Sequence, residues 1–457
     1  MNSKEIKVKN WTLLKLKMYK KNTKNPKKLQ IYAKKLIPGI SQLFGKRPEL
    51  YLPGGSWPTY YSKAKGVYLW GIDNKKFIDF SMVGVGTSVL GYADKHINEA
   101  AIKAINSGSI STLNAPEDVE LAEILTKIHP WADSVKYART GGESMSIAIR
   151  IARAYTKKEK ILFCGYHGWH DWYLSANLKS IKNLNQHLLS GLEPLGIPKS
   201  LKDTIIPFRF NEWEDLEKIV KKNVKNCAAI VLEPCRDYVP KKNYLEELRK
   251  ISNKNNCVLI FDEITCAWRI GTSGTHKNFG VNPDIAVFGK TIANGIPMGA
   301  IIGKKRIMKF STKTFISSVF WTEKIGPACS IAFLKKHKKL KLGKKLIEIG
   351  KNIKKIWQEA ANYSNLEIDI KGIDPLANFK IKNLDWPITL TFFIQEMLKK
   401  GIIASDRCYA NYKHSPDLLN KYKHACFEIF QRIANLENTN SIKKNLDGPI
   451  KQMGFKR

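Results

Sequence analysis

Five short stretches of this 457-residue chain hold residues able to do chemistry, and most of them close a run of apolar residues. They are Thr140-Gly141-Gly142-Glu143, Gly165-Tyr166-His167-Gly168, Glu233-Pro234, Asp262-Glu263 and Gly289-Lys290. Gly289-Lys290-Thr291, with Val258-Leu259-Ile260-Phe261-Asp262-Glu263 as an acidic strand, has the outline of a phosphate-binding loop. Such a loop needs a glycine five residues before Gly289 so that its backbone can curl around phosphate, but that position is Asp284, which would repel it. The acidic strand also precedes the loop, the reverse of the usual order. Gly84-Val85-Gly86 does not make a dinucleotide fingerprint, since Val89 stands at the third glycine position. Both nucleotide readings are set aside.

The same residues meet the needs of pyridoxal phosphate (PLP). That cofactor requires a lysine for a Schiff base and an acid to keep its pyridine nitrogen protonated. It also needs backbone N–H groups at a helix N-terminus for its phosphate. Thr140-Gly141-Gly142, directly before a helical pattern, supplies the anion site, because glycine lets the ligand approach the backbone. Asp262 ends a wholly apolar strand, where a lone carboxylate is costly unless it meets a cation such as a pyridinium N–H. Lys290 lies at the end of the next strand, 28 residues on, and Tyr166 and His167 are placed to cover a ring.

The elements that must position these residues are legible as periodicity. Ile161–Cys164, Ala228–Leu232, Cys257–Phe261 and Ile285–Phe288 read as short continuous apolar strands, with a helix around 244–254 between the second and third. Residues 66–70 and 76–80 read as strands about an Asp73-Asn74 turn, and 95–106 as a helix with Ile97, Ala100, Ala101, Ala104 and Ile105 on one face. A second helix follows Gly142. Apolar strands separated by helices indicate an α/β fold with a mostly parallel sheet covered on both faces. The expected organisation is a basic N-terminal arm (1–45), an N-terminal segment with a large α/β domain (46–330), and a smaller α+β C-terminal domain (331–457) that opens with a lysine-rich helical stretch at 335–355.

Composition narrows the function. With 43% hydrophobic residues the chain can pack a core, and no apolar run is long enough for a membrane span. Eight scattered cysteines without a CxxC pair read as reduced thiols of a cytoplasmic protein rather than as zinc ligands or disulfides, and no metal site is expected. The formal charge of +37 invites a nucleic-acid or anionic-surface reading, most of all for residues 1–40, where twelve lysines, Trp11, Tyr19 and Tyr32 accompany the single acid Glu5. No nucleic-acid motif accompanies the lysines, which are spread along the whole chain, so that reading stays an alternative of another class.

Seven stretches carry a family resemblance: KGVYLWGIDNKKFIDFS (65–81), VKYARTGGESMSIAIRIARAYT (135–156), FCGYHGWHDW (163–172), VLEP (231–234), VLIFDEITCAWR (258–269), PDIAVFGKTIANGIPMGAIIG (283–303) and WTEKIGPA (321–328). The sequence resembles class-III (fold type I) PLP-dependent aminotransferases, and most of all the glutamate-1-semialdehyde 2,1-aminomutase branch. The resemblance implies that Lys290 forms the Schiff base and shuttles a proton, that Asp262 pairs with the pyridine nitrogen, and that Tyr166 stacks on the ring with His167 beside it. It also implies a phosphate site at Thr140, Gly141 and Gly142, with Thr322 reaching the cofactor of a second subunit in a homodimer. Glu233 and Glu263 match family acids near the cofactor.

Three departures concern the substrate and the phosphate. Where the aminomutase branch carries a carboxylate-clamping arginine, this chain has Tyr60, within Trp57-Pro58-Thr59-Tyr60, and a tyrosine lacks the guanidinium fork. Where Gly-Asn usually follows Glu-Pro, it has Cys235-Arg236-Asp237-Tyr238, and Arg236 could clamp an anion from a new direction. Gly142 stands where threonine is common, which removes one hydroxyl donor. A pocket lined by Trp57, Tyr60, Trp169, His170 and Tyr238 would be more aromatic than one built for a small amino aldehyde. The expected function is therefore amino-group transfer between small molecules with an altered substrate, such as a keto-sugar, the alternative being the aminomutase reaction that gives 5-aminolevulinate.

Overall fold

A computed structural model describes residues 24–455 apart from 188 and 437. Most of the lysine-rich arm, including Trp11 and Tyr19, lies outside the described residues. Its described part forms the helix Pro26–Leu36, capped by the Asn25 side chain.

Three short strands follow: β1 (Tyr61–Lys65), β2 (Tyr68–Gly71) and β3 (Lys76–Phe80). The large sheet is built from β4 (Ser134–Ala138), β5 (Lys160–Cys164), β6 (Ile205–Pro207), β7 (Cys227–Leu232), β8 (Val258–Asp262), β9 (Ile285–Phe288) and β10 (Gly299–Gly303). Their spatial order is β4-β10-β9-β8-β7-β5-β6. From β9 to β6 all neighbours are parallel, and β10 is antiparallel to both β9 and β4. Two reversals restore the direction, so β4 runs with the parallel set. Every strand but β10 thus ends at one edge, the edge to which all five chemical stretches belong.

Strands β7, β8 and β9 are buried throughout, and their alternate side chains feed different cores. Val231, Ile260 and Val287 pack with the helix Gly141–Thr156, while Leu232, Leu259 and Phe261 pack with helical residues such as Leu216, Leu245 and Leu248. Burial on both faces explains why these strands read as unbroken apolar runs. The helices Lys95–Asn106 and Tyr244–Lys254 have the bounds the periodicity predicts, and β8 starts one residue later than predicted. In the first of these helices Ile97, Ala101 and Ala104 are buried, whereas Ile105, on the flank of that stripe, is exposed.

The basic stretch after residue 330 is two helices, Ile325–Leu340 and Leu342–Tyr363, parted at Lys341, which takes a left-handed conformation. Beyond them lie β11 (Ile368–Lys371), β12 (Leu376–Ile381), β13 (Ile402–Ala404) and β14 (Arg407–Tyr409). β11, β12 and β14 form a three-stranded sheet, while β13 adds in parallel to β3. Leu52, Val67 and Phe80 accordingly share one core with Trp357, Phe379, Phe430 and Tyr422, so the N-terminal strands pack with the C-terminal part. Phe80 stacks on both Tyr422 and His414.

One close approach couples this C-terminal part to the large sheet. Gly350 faces the Asp374 carbonyl so closely that a Cβ there would lie 2.0 Å from its oxygen. The turn that Asp374 closes donates backbone N–H groups from Gly372 to the Asp237 carbonyl and from Ile373 to the Arg236 carbonyl. Gly350→Ala is expected to destabilise the protein by about 2 kcal/mol through overpacking. A urea-unfolding midpoint equal to that of the parent would contradict the described packing.

Candidate active site

The helix Gly141–Thr156 begins at the end of β4 with a capping box. Thr140 Oγ1 accepts from the Glu143 N–H, and the Glu143 carboxylate accepts from the Thr140 N–H at 2.9 Å. The Thr140 hydroxyl is thus first a cap, with its own proton still free to donate, and the Gly141 and Gly142 N–H groups point out of the first turn. Such a terminus favours an anion. Ile264 packs against both Gly141 and Gly289, so the turn after β8 touches the helix start and the lysine loop together.

At the end of β8, Asp262 is buried and both of its oxygens are engaged. Oδ2 lies 2.8 Å from His167 Nδ1, and Oδ1 accepts from the Ile264 N–H at 3.1 Å. His167 Nε2 in turn lies 3.2 Å from the Cys164 carbonyl. Burial, and then the charges of Asp262 and Glu233, push the Tyr166 phenol above its ordinary value. Gly165, which precedes Tyr166, has φ of +116°, and a side chain there would collide with Glu233.

Lys290 follows β9 with φ of +43°, a left-handed conformation unusual for a lysine. Its Nζ donates to Thr265 Oγ1 at 2.7 Å. Burial lowers its pKa to about 8; Glu233 and Asp262 work to raise it, while Arg236 and Arg269 work to lower it. Two of these neighbours are arginines, Arg269 buried and Arg236 partly so. Arg236 lies 2.8 Å from Glu233 and also pairs with Asp237, which holds Arg407 of β14 at 3.3 Å. Arg269 donates to the carbonyls of Thr265 and Gly86 and lies against the Tyr409 ring.

The stretches singled out from the sequence therefore meet at one sheet edge, with three differences of detail. Glu263 faces the other way: its carboxylate accepts from Thr275 and His276, including a 2.8 Å contact with His276 Nδ1. It holds the following loop, because consecutive residues at a strand end point to opposite sides. Arg236, expected as a clamp for an anion, is paired with the carboxylates of Glu233 and Asp237. The substrate candidates also separate. Trp57 and Tyr60 line a cavity of about 240 Å³ with Tyr51, Tyr92 and Val85, and Trp57 stacks on Tyr51. Arg236 and Tyr238 line another of about 660 Å³ with His187, Arg209 and Lys241.

Thr322 is exposed, its hydroxyl donating to the Val319 carbonyl. Thr265, Ile264 and Arg269 escaped the sequence reading. The four-residue spacing of Thr265 and Arg269 directly after Asp262 was the available signal. A buried amine, a buried carboxylate and a glycine-lined helix start on one edge form a donor set that suits PLP.

Comparison with known proteins agrees with this chemistry. The family model for aminotransferase class-III matches residues 53–431. The glutamate-1-semialdehyde 2,1-aminomutase of Nitrosopumilus maritimus is 35% identical over 319 residues, covering 68% of this chain and 72% of that protein. The 3-aminobutyryl-CoA aminotransferase of Cloacimonas acidaminovorans is 33% identical over 65% of this chain and 69% of its own length. Among solved structures, the Sphingopyxis sp. MTA144 FumI protein, in its PLP internal aldimine form, superposes with a TM-score of 0.81 at 21% identity, covering 90% of this chain and 96% of that one. A glutamate-1-semialdehyde aminomutase from Pseudomonas aeruginosa PAO1 gives 0.76 at 14% identity, covering 92% and 97%.

The depressed Lys290 pKa has a direct readout. Cyanate reacts with a neutral amine, so carbamylation of Lys290 in cofactor-free protein, followed by peptide mass mapping, should rise through a midpoint near pH 8. A midpoint near the ordinary lysine value of about 10.4 would show an amine in free contact with water.

Proposed function

The chain belongs to the class-III aminotransferase family and is a PLP-dependent enzyme, and we propose how its own residues divide the work of amino-group transfer. When bound, PLP supplies a carbonyl that takes up the amino group and a ring that draws electrons from the reacting carbon. Lys290 Nζ is the amine that anchors it and then the group that carries a proton between carbon positions. Asp262 takes the hydrogen bond of the ring nitrogen, oriented by His167 and the Ile264 N–H. Tyr166 covers the ring, and the Gly141 and Gly142 N–H groups hold the phosphate. Glu233 fixes the Tyr166 backbone by accepting its N–H at 3.0 Å. The observation that carries this reading is the meeting at one sheet edge of the Lys290 amine, held by Thr265, the buried Asp262 carboxylate, held by His167, and the glycine-lined helix start, all three bridged by the turn after β8.

The substrate pocket is altered from that of an aminomutase. In place of a clamping arginine, Tyr60 offers a buried hydroxyl without a hydrogen-bond partner in the aromatic cavity, while Arg236 lines the other cavity. We infer a carbonyl substrate with polar groups for Tyr60 and an anionic or strongly polar group for Arg236.

The enzyme acts as a cytoplasmic homodimer with shared sites. Supporting this are the eight buried, unpaired cysteines and the exposed apolar side chains of Phe315, Val319 and Phe320 in the segment that leads to Thr322, Phe315 being 90% exposed. Among the described residues no helix is long and apolar enough to cross a membrane. Sedimentation should give twice the chain mass for the parent and the chain mass for Phe315→Asp/Phe320→Asp. A monomeric parent would refute the shared site.

The decisive experiment compares visible absorption of the purified protein with Lys290→Ala, before and after a panel of amino donors. A band that is lost in the variant and bleached by one donor is expected. A band that survives in Lys290→Ala would remove the lysine from its role, and efficient conversion of glutamate-1-semialdehyde into 5-aminolevulinate would overturn the altered pocket.

A further inference from the structure

The helix start that is to hold phosphate lacks the threonine hydroxyl common at position 142, and the structure shows what fills its place. A Cβ on Gly142 would lie 2.9 Å from His170 Cδ2 and 3.0 Å from His170 Nε2, so the imidazole occupies the volume of a side chain at 142. The segment leading to it is pressed onto the same turn: a Cβ on Gly168 would lie 3.1 Å from the Gly142 Cα, and Gly168 has φ of +104°. The His170 backbone is fixed as well, its carbonyl accepting from the Tyr173 and Leu174 N–H groups. The ring is oriented by Ser146, one turn into the helix, whose Oγ lies 2.8 Å from Nδ1. Nε2 faces the helix start, and it carries the proton in the tautomer in which the Ser146 hydroxyl donates to Nδ1.

We propose that His170 is a phosphate-binding residue of this enzyme, its Nε2–H replacing the hydroxyl donor that glycine at position 142 removes. The proposal rests on the reading that the first turn of this helix holds the phosphate of PLP. It also moves His170 from the substrate wall, where the sequence suggested it, to the anion site. Glu143 does not oppose the anion with a free carboxylate, because that group is committed to the Thr140 and Arg139 N–H groups. Burial lowers the imidazole pKa from its ordinary value, with Glu143 and Asp171 pulling the other way. Trp169 is tilted against it, with ring centroids 4.6 Å apart, and its Cδ1 lies 3.6 Å from where a Cβ on Gly142 would stand.

The test separates phosphate recognition from general damage by comparing two ligands. Full-length protein stripped of cofactor is titrated with PLP and with pyridoxal, which lacks the phosphate, and binding is followed by absorbance. His170→Phe keeps a ring in place without the donor. It is expected to weaken PLP about tenfold, the scale of one hydrogen bond to a charged group, while pyridoxal affinity stays unchanged. The exchange His170→Ala/Gly142→Thr, which makes room for a hydroxyl and supplies it, should recover PLP affinity to within about threefold of the parent. Equal losses for PLP and pyridoxal, or no loss in His170→Phe, would overturn the proposal while leaving the proposed cofactor site standing. A parent protein that binds neither ligand would instead overturn the cofactor reading.

Discussion

Burying an amine at the end of an apolar sheet is the constraint around which the site is arranged. A lysine that leaves water loses much of the stabilisation of its charge, and the interior must supply neighbours of both signs or leave it neutral. The protein does some of each. Asp262 and Glu233 favour the charged amine, Arg236 and Arg269 disfavour it, and desolvation tips the balance toward a pKa of about 8. Each counter-charge then needs its own partner, which is why Asp262 is bound by His167, Glu233 by Arg236 and Asp237 by two arginines. The charge lattice extends outward from one lysine until it reaches the C-terminal sheet.

Much of this was legible because strand ends are legible. Strands buried on both faces read as unbroken apolar runs, and a residue such as Asp262 or Lys290 ending one stands out against them. Direction could also be read, since five of the seven strands of the large sheet are mutually parallel and β4 returns to their sense. What stayed hidden were contacts between parts distant in sequence. Arg236 looks like any other of the chain's many cations until its carboxylate neighbours are seen. Glu263 looks as available as Asp262, yet one residue's shift along a strand end turns it to the opposite side. Packing of Leu52, Val67 and Phe80 with Trp357 and Tyr422 has no local signature, because the pairing of β3 with β13 joins segments more than 300 residues apart. Strain gave no signal either. Val83, Gly84, Val85 and Gly86 form a consecutive left-handed run along the aromatic cavity, its last carbonyl held by Arg269.

The departures from the aminomutase pattern fall into two kinds. At position 142 a lost side chain leaves space that His170 fills, so the geometry of the helix start is preserved by a residue from another segment. At position 60 and after Glu233 nothing is preserved: a hydroxyl stands where the aminomutase branch has a cation, and a cation stands in a separate cavity at Arg236. Volume is thus kept at the helix start, while charge is redistributed between the two cavities.

The backbone bonds from Gly372 and Ile373 to the carbonyls of Asp237 and Arg236 have a mechanical consequence. The loop between them is a short linkage, clamped at one end to the C-terminal sheet and at the other to Glu233 beside the reacting centre. Displacing either end of this linkage would break the backbone bonds from Gly372 and Ile373 that hold the Arg236-Asp237 carbonyls. One stretch of backbone thereby joins the Arg236–Glu233 ion pair to the C-terminal sheet.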